Sequence, residues 1–145
     1  MKLAWLLWLA SVMPQHHADR TCLAAMIYLE ARSESQMGQA AVAEVAMRRR
    51  ETGRWGDDVC SVVNARNQFA LSTTNKNYML RNPAAWQKAW LVADRMLQMW
   101  SLPNHEREFV VPDADHFVAE EFASPHWATG ERIAIIGAHS FYRVN

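Results

Sequence analysis

Only two cysteines occur among the 145 residues, Cys22 and Cys60, and no C-x-x-C pair exists. That scarcity excludes a zinc ribbon or finger and a disulfide-dense miniature scaffold. In an oxidising compartment a single 22–60 bridge is expected, tying the first helix of the domain to the third, with two buried free thiols as the other reading. Charge of one sign is also missing, since 15 basic residues face 15 acidic ones. Phosphate neutralisation needs clustered cations, so no nucleic-acid partner is expected. The one basic run, Arg48-Arg49-Arg50, falls where a helix should end, and there cations complement the helix dipole. No repeat, low-complexity tract or linker interrupts the chain. With half its residues apolar it can build one core.

No apolar run approaches the roughly 20 residues of a membrane span. The longest comes first: Met1-Lys2 precedes the 11-residue run Leu3 to Met13, followed by Pro14 and polar Gln15-His16-His17. A charged start, an apolar centre and a polar end predict that residues 1–18 are a secretory signal, cleaved after Ala18, or a retained membrane-targeting segment. Any membrane contact is expected through this segment alone. Residues 19–145 form the expected functional domain.

What is abundant is helical. The pattern predicts a helix over Asp19 to Leu29 with Asp19 or Thr21 as cap and Glu30 at its end. A second runs from about Gln36 to Arg50, capped by Ser35 and stopped by Gly53. Asp57-Asp58 opens a short helix carrying Val59 to Val63, and residues 64–82 read as irregular. Asn82-Pro83 starts a long helix with Trp86, Ala89, Trp90, Ala93, Met96, Leu97 and Trp100 on one apolar face, read as core. Short β-prone runs follow at Glu108 to Val111, Asp115 to Val118, Arg132 to Ile136 and His139 to Arg143, with Gly137-Ala138 turning the last two. The fold class is α+β, mainly helical, with a short antiparallel sheet near the C-terminus.

Chemistry concentrates at Glu30. It follows the apolar run Leu23 to Leu29, where desolvation favours a protonated carboxyl, and it stands at a helix end open to a loop. A carboxylic acid of raised pKa is the usual proton donor in glycoside cleavage. Its surroundings, Tyr28-Leu29-Glu30-Ala31-Arg32-Ser33-Glu34 and then Gly38-Gln39-Ala40-Ala41-Val42-Ala43, resemble the opening motif of the SleB-type cell-wall hydrolases. The resemblance continues through Val59-Cys60-Ser61-Val62-Val63, Gln68-Phe69, His116-Phe117, Ser124-Pro125-x-Trp127 and Ile136-Gly137-x-His139-x-Phe141-Tyr142-Arg143. It departs at Ser33, where the family has Gly, at Arg48 for Asn, at Ala70-Leu71 for Ser-Trp, and at Val118 for a second His.

The resemblance implies a small lysozyme-like domain related to lytic transglycosylases, with Glu30 as its single catalytic acid and no cofactor. The substrate implied is the peptidoglycan glycan strand, cut between N-acetylmuramic acid and N-acetylglucosamine with a 1,6-anhydro product. Arg32, Glu34, Gln68, Phe69, His116, Phe117, Trp127, His139 and Tyr142 are expected to form the substrate-binding groove. Glu34 reads equally as a loop tie. An exported monomer is expected, acting in the periplasm or cell wall, or in a host periplasm during phage lysis. That setting follows from brevity and the absence of an added wall-binding module.

Two rival readings carry tests. Asp115, His116 and His139 tempt a zinc amidase or peptidase, but no H-E-x-x-H or H-x-x-E-H spacing exists, so no metal is expected. The tryptophans would also suit a non-catalytic wall-binding module, which has no need of Glu30. Ser124, Ser140 and Cys60 sit in no nucleophile turn.

Overall fold

Helix α2 (Gln15–Ala31) is the element around which the others pack: α1 (Leu3–Val12), α3 (Gln36–Thr52), α4 (Val59–Asn64), the short α5 (Ala70–Thr73) and α6 (Pro83–Ser101). The computed structural model describes residues 1–119 and 125–145. From Cys22 to Tyr28 every side chain of α2 is buried, because neighbours cover it on all sides. Each of Leu23, Met26 and Ile27 contributes about 2 kcal/mol of burial. On α3 the run Ala41 to Met47 is equally enclosed, and its small residues let α2 and α6 approach closely.

Local chemistry sets the helix ends. Ser35 Oγ accepts from the Gly38 N–H at 3.1 Å, Asp58 Oδ1 from Ser61 at 2.7 Å and Asn82 Oδ1 from Ala85 at 3.0 Å. Gly53 closes α3 at φ 71°, as its position after the last helical turn predicts. One boundary differs. α2 begins at Gln15 rather than Asp19, with the Pro14 carbonyl accepting from His17 and Ala18. Asp19 therefore caps nothing on its own helix, and its Oδ1 accepts from the Val59 N–H, 3.2 Å away at the start of α4. A Cys22–Cys60 disulfide ties the same two helices, as expected.

α1 lies against the domain, with Leu3, Leu6 and Ala10 buried. Leu3 N–H donates to the Tyr78 carbonyl and Leu80 N–H to that of Met1, both at 2.9 Å, around a Lys2–Met79 bridge. Its outer face carries Met1, Trp5, Trp8 and Val12, each more than half exposed. Beneath it, Leu6, Leu9 and Met13 face Trp86 and Trp90 across an apolar cavity of about 470 Å³. Ala89, Ala93, Met96 and Trp100 of α6 are core, as the stripe predicts, and Val92 joins them from outside it, while Trp86, Trp90 and Leu97 are only half-buried. Among the described residues no helix is long and apolar enough to cross a membrane.

The sheet is antiparallel, in order β1-β3-β2, formed by β1 (His116–Val118), β2 (Glu131–Ile136) and β3 (His139–Arg143). His116 pairs with Tyr142 and Phe117 with Phe141, while Ile136 pairs with His139 across Gly137-Ala138. The run Glu108 to Val111 is not a strand. The carboxylate of Glu44 on α3 takes the N–H groups of Val110 and Val111, at 2.5 and 3.0 Å, that a neighbouring strand would otherwise bind. Likewise the segment 64–82, read as irregular, contains α5.

Gly137 joins the sheet to the helices. It adopts φ 57°, and a Cβ there would collide with Glu34 Oε2. Gly137→Ala is expected to lower stability by about 2–3 kcal/mol through left-handed strain and displacement of that carboxylate. Urea unfolding measures this, and an unchanged midpoint would contradict the fit.

Candidate active site

Glu30 occupies the last turn of α2, half-buried, where the helix runs out beneath the start of α5. Its Oε1 accepts the Ala70 N–H at 2.5 Å, a donor left free because it opens α5. Burial raises its pKa above the ordinary glutamate value, and the Ala70 N–H and the nearby positive charge of Arg49 only partly oppose that. The outcome is a carboxyl biased toward its protonated form yet reachable from solvent, which suits a proton donor.

The α2–α3 turn is held from below by Gln39, wholly buried, whose Nε2 donates to the Ala31 carbonyl at 3.0 Å. Ser33 is exposed and so accommodates a side chain. Glu34 turns away from Glu30: its Oε1 accepts the Ala138 N–H at 3.1 Å and lies 3.5 Å from His139 Nδ1. Lys88 Nζ, from α6, donates to the Glu34 carbonyl at 2.7 Å. Glu34 does tie a loop, but through Ala138 and His139 and not through Arg32, as the sequence suggested, because Arg32 Nη1 donates to the Tyr78 hydroxyl.

The residue that sequence reasoning missed is Arg49. Read as a dipole-compensating cation at a helix end, it is in fact only 4 % exposed. Nε donates to the Asp115 carbonyl at 2.8 Å and Nη1 to Gln68 Oε1 at 3.1 Å, and the guanidinium lies over Trp55 and Phe69. Burial pushes its pKa down to about 10, against the attraction of Asp115 and Glu30. A helix-end arginine in sequence carries no signal of such contacts. Arg48 also turns inward, donating to the Ala114 carbonyl at 2.6 Å, and Arg50 approaches Asp19 at 3.9 Å.

Arg49 predicts a pH effect. Were Glu30 a general acid, it would work while protonated, and activity would fall as pH rises through its pKa. In Arg49→Met the opposing charge is gone, Glu30 holds its proton longer, and the basic limb should move to higher pH. Arg49→Lys should stay near the parent profile. A limb that moves equally in both variants would mean that packing, not charge, is responsible.

The aromatic residues and histidines expected in the groove divide into two clusters, and Gln68 and Arg32 stand apart from both. Phe69, Phe117, Phe141 and His139 form one aromatic cluster, with Phe69 to Phe117 centroids 5.9 Å apart and Phe117 to His139 5.3 Å. Phe69 and His139 are 3 % and 5 % exposed, so they back the site rather than line it. A second cluster joins Trp55, His116, Trp127 and the buried Tyr142, with His116 and Trp127 centroids 4.8 Å apart. Gln68 is exposed beside Arg49, and Arg32 is exposed on the far side of the α2 terminus, its Nη1 donating to the Tyr78 hydroxyl. Ser124 of the Ser124-Pro125-x-Trp127 element lies outside the described residues.

His116 and His139 do not converge. His116 pairs with Tyr142 in the ladder, three residues from His139 on β3, so alternation sends the two side chains to opposite faces of the sheet. His116 Nδ1 meets Asp115 Oδ1 at 2.8 Å, and burial holds the ring's pKa below the usual value although Asp115 opposes this. Asp115 is spent on structure, since the Val144 and Asn145 N–H groups each donate to it at 2.8 Å. Burial would raise the Asp115 pKa, but these donors and His116 hold it low. Among the described residues the acid and cysteine group with metal-ligand spacing is Asp19, Asp58 and Cys60, and its sulfur is already in the disulfide.

Known proteins resemble the chain at two levels. A model of the cell wall hydrolase family matches residues 33–142, most of the chain, starting three residues after Glu30. No curated protein matches. Among solved structures, the catalytic domain of the germination-specific lytic transglycosylase SleB from Bacillus anthracis superposes with a TM-score of 0.68 at 22 % identity, over 90 % of this chain and 97 % of that one. The catalytic domain of the Bacillus cereus SleB protein gives 0.62 at 22 % identity, over 86 % and 88 %. The mainly helical fold with its small C-terminal sheet is thus that of the SleB catalytic domains, and the chain belongs to the cell wall hydrolase family.

Proposed function

We propose that this hydrolase cleaves peptidoglycan glycan strands between N-acetylmuramic acid and N-acetylglucosamine, with Glu30 as general acid and then general base. One observation carries the reading: Glu30 is a desolvated, accessible carboxyl whose charged neighbour is Arg49 and not a second carboxylate. A two-carboxylate retaining glycosidase needs its acids about 5–5.5 Å apart. Glu34, the nearest acid in sequence, is committed to Ala138.

The Glu30 carboxyl gives its proton to the glycosidic oxygen, and the bond to the muramyl anomeric carbon breaks, leaving positive charge on that ring. The carboxylate so formed takes the proton of the muramyl 6-hydroxyl, whose oxygen closes on the anomeric carbon. The products are a free 4-hydroxyl and a 1,6-anhydro-muramyl end. One carboxyl serves both steps and no water is consumed. Gln68, His116 and Trp127 would meet the sugars, and Phe69, Phe117, His139 and Tyr142 would hold that wall in place.

The chemistry requires action outside the cytoplasm, and a disulfide between α2 and α4 suits an oxidising compartment. Residues 1–18 would direct export. Their exposed Met1, Trp5, Trp8 and Val12 face, with Lys2 and no acid, suits a membrane surface if the segment is kept.

Mass spectrometry of fragments released from purified peptidoglycan tests the reaction. Anhydro-muramyl ends, lighter by one water than reducing ends, are the expected product. Reducing muramyl ends would convert the reading to hydrolysis by the same acid. Peptides released from intact glycan would overturn it.

A further inference from the structure

Helix α1 is apolar on more than one side. Leu3, Leu6 and Ala10 are buried against the body, while Trp5, Trp8 and Val12, a stripe at helical spacing, are more than half exposed together with Met1 just ahead of the helix. At roughly 100° per residue, Leu9 falls between these two faces. With Leu6 and Met13 it forms one wall of the cavity of about 470 Å³, and Leu80, Trp86 and Trp90 form the other. Met1 belongs both to the exposed surface and to the lining, so the two are continuous.

The lining has little to offer water. The Thr21 hydroxyl already donates to the His17 carbonyl at 2.8 Å. Among the described residues Arg81 is the one charged side chain there, and it is exposed and in no ion pair. An apolar void of this kind stays dry and accepts apolar ligands.

The chain is neutral overall, but its charge is unevenly spread. Residues 1–18 and 59–93 hold Lys2, Arg66, Lys76, Arg81 and Lys88 and no acid, whereas acids outnumber cations over the rest. α1 is tied to that acid-free stretch. Ala4 N–H donates to the Lys76 carbonyl at 2.9 Å, Lys2 bridges to Met79, and Arg81 follows Leu80, whose N–H meets the Met1 carbonyl. Flanking acids are occupied: Asp94, one turn beyond Trp90, pairs with Arg20 at 2.9 Å, and Asp19 and Asp58 hold the Val59 and Ser61 N–H groups.

We propose that this cavity takes one acyl chain of an anionic membrane lipid, with the exposed stripe on the bilayer and Arg81 meeting the lipid phosphate. Ten helical residues measure about 15 Å, half the roughly 30 Å of the hydrocarbon core, so α1 lies along the interface and not across it. Trp5 and Trp8 suit the headgroup level, and Lys2 and Arg81 suit a negative surface. The site extends the membrane contact proposed for residues 1–18 to one defined lipid chain, and it is independent of Glu30. It requires those residues to stay on the protein, because they supply Met1, Leu6, Leu9 and Met13.

The test mixes the full-length protein with vesicles of phosphatidylcholine, alone or with an equal part of phosphatidylglycerol carrying a photoactivatable acyl chain. Sedimentation should show binding to the anionic vesicles, weakened about fivefold by Arg81→Gln and largely kept by Arg81→Lys. Crosslinks should reach Leu80, Trp86 or Trp90. Leu80→Trp, which fills the cavity and leaves the outer stripe unchanged, should remove those crosslinks and keep vesicle binding. Thermal melts check the fold of each variant, and Arg81 is exposed, so its variants should melt with the parent. Equal binding to neutral vesicles, crosslinks on α1 with none on the opposite wall, or an exported protein lacking residues 1–18 would each overturn the site. Labelling of that wall by free fatty acid, with no binding to vesicles, overturns the bilayer source in favour of a soluble amphiphile.

Discussion

Replacing Glu30 by Gln should abolish glycan cleavage while leaving the protein at least as stable at neutral pH. Gln has nearly the same shape, and its carbonyl oxygen can still accept the Ala70 N–H that Glu30 accepts at 2.5 Å. What it lacks is a proton to give. Loss of a positioned general acid costs about 10²–10⁴-fold. Loss of the base step with it places the expected effect at the upper end of that range or beyond.

The stability half follows from linkage. Burial raises the Glu30 pKa in the folded protein, so the folded state binds the proton more tightly than the unfolded chain does. Stability contributed by Glu30 is therefore greatest below its unfolded pKa and declines as pH rises through the folded value, where a charge is forced into the site. The amide of the variant carries no such charge, so the melting temperature of Glu30→Gln should equal or exceed that of the parent at pH 7. The difference should vanish in acid. Calorimetry across pH, paired with fragment analysis, reads both quantities. A variant that is inactive and also strongly destabilised would show Glu30 to be a structural residue. Undiminished cleavage would place the acid elsewhere.

The disulfide carries the second large effect. Cys22 and Cys60 are 38 residues apart in sequence, and closing such a loop restricts the unfolded chain by roughly 4 kcal/mol in the chain-entropy account. For a domain of this size that is a drop on the order of 10 °C in melting temperature. The consequence reaches the site, because Cys22 lies on α2, about two turns before Glu30 and close to where the Asp19 carboxylate meets α4. Reductant or the Cys22→Ser/Cys60→Ser pair should therefore lower the melting temperature sharply. Activity should persist at low temperature, where the fold still holds. A melting temperature insensitive to reductant would mean that burial of α2 alone maintains this region.

Glu30 and the cysteine pair both stand out in the sequence, the first through an apolar run that ends in an acid, the second because two cysteines leave only one pairing. The caps at Ser35, Asp58 and Asn82 and the stop at Gly53 are legible for a related reason. Each is a contact between residues three or four apart, or a backbone angle that glycine alone adopts freely.

Harder to read are residues whose partners are distant. Asp19 looks like a cap and instead holds Val59; Glu44 sits in a helical stripe and instead binds the 110–111 segment. In both cases a short-range rule meets a carboxylate that has found a better donor 40 or more residues away. Arg49 is the sharpest case, since an arginine at the end of a helix is usually solvated, and only the fold brings Trp55, Phe69, Gln68 and the Asp115 carbonyl around it. The histidines show the converse. In sequence His116 and His139 share strand-like runs and invite a common ligand, but strand alternation and register place them on opposite faces.

The sequence by itself determined where most of the helices begin and end, which faces are buried, which cysteines pair and which carboxyl ends the buried run of α2, because these depend on near neighbours and on periodicity. Only the tertiary structure decided the state of that carboxyl, the diversion of Glu34 to the β2–β3 turn, and the burial of Arg49 near Glu30. Each of those depends on desolvation and on charges brought together from distant segments, and such energies exist only once the chain has closed around them.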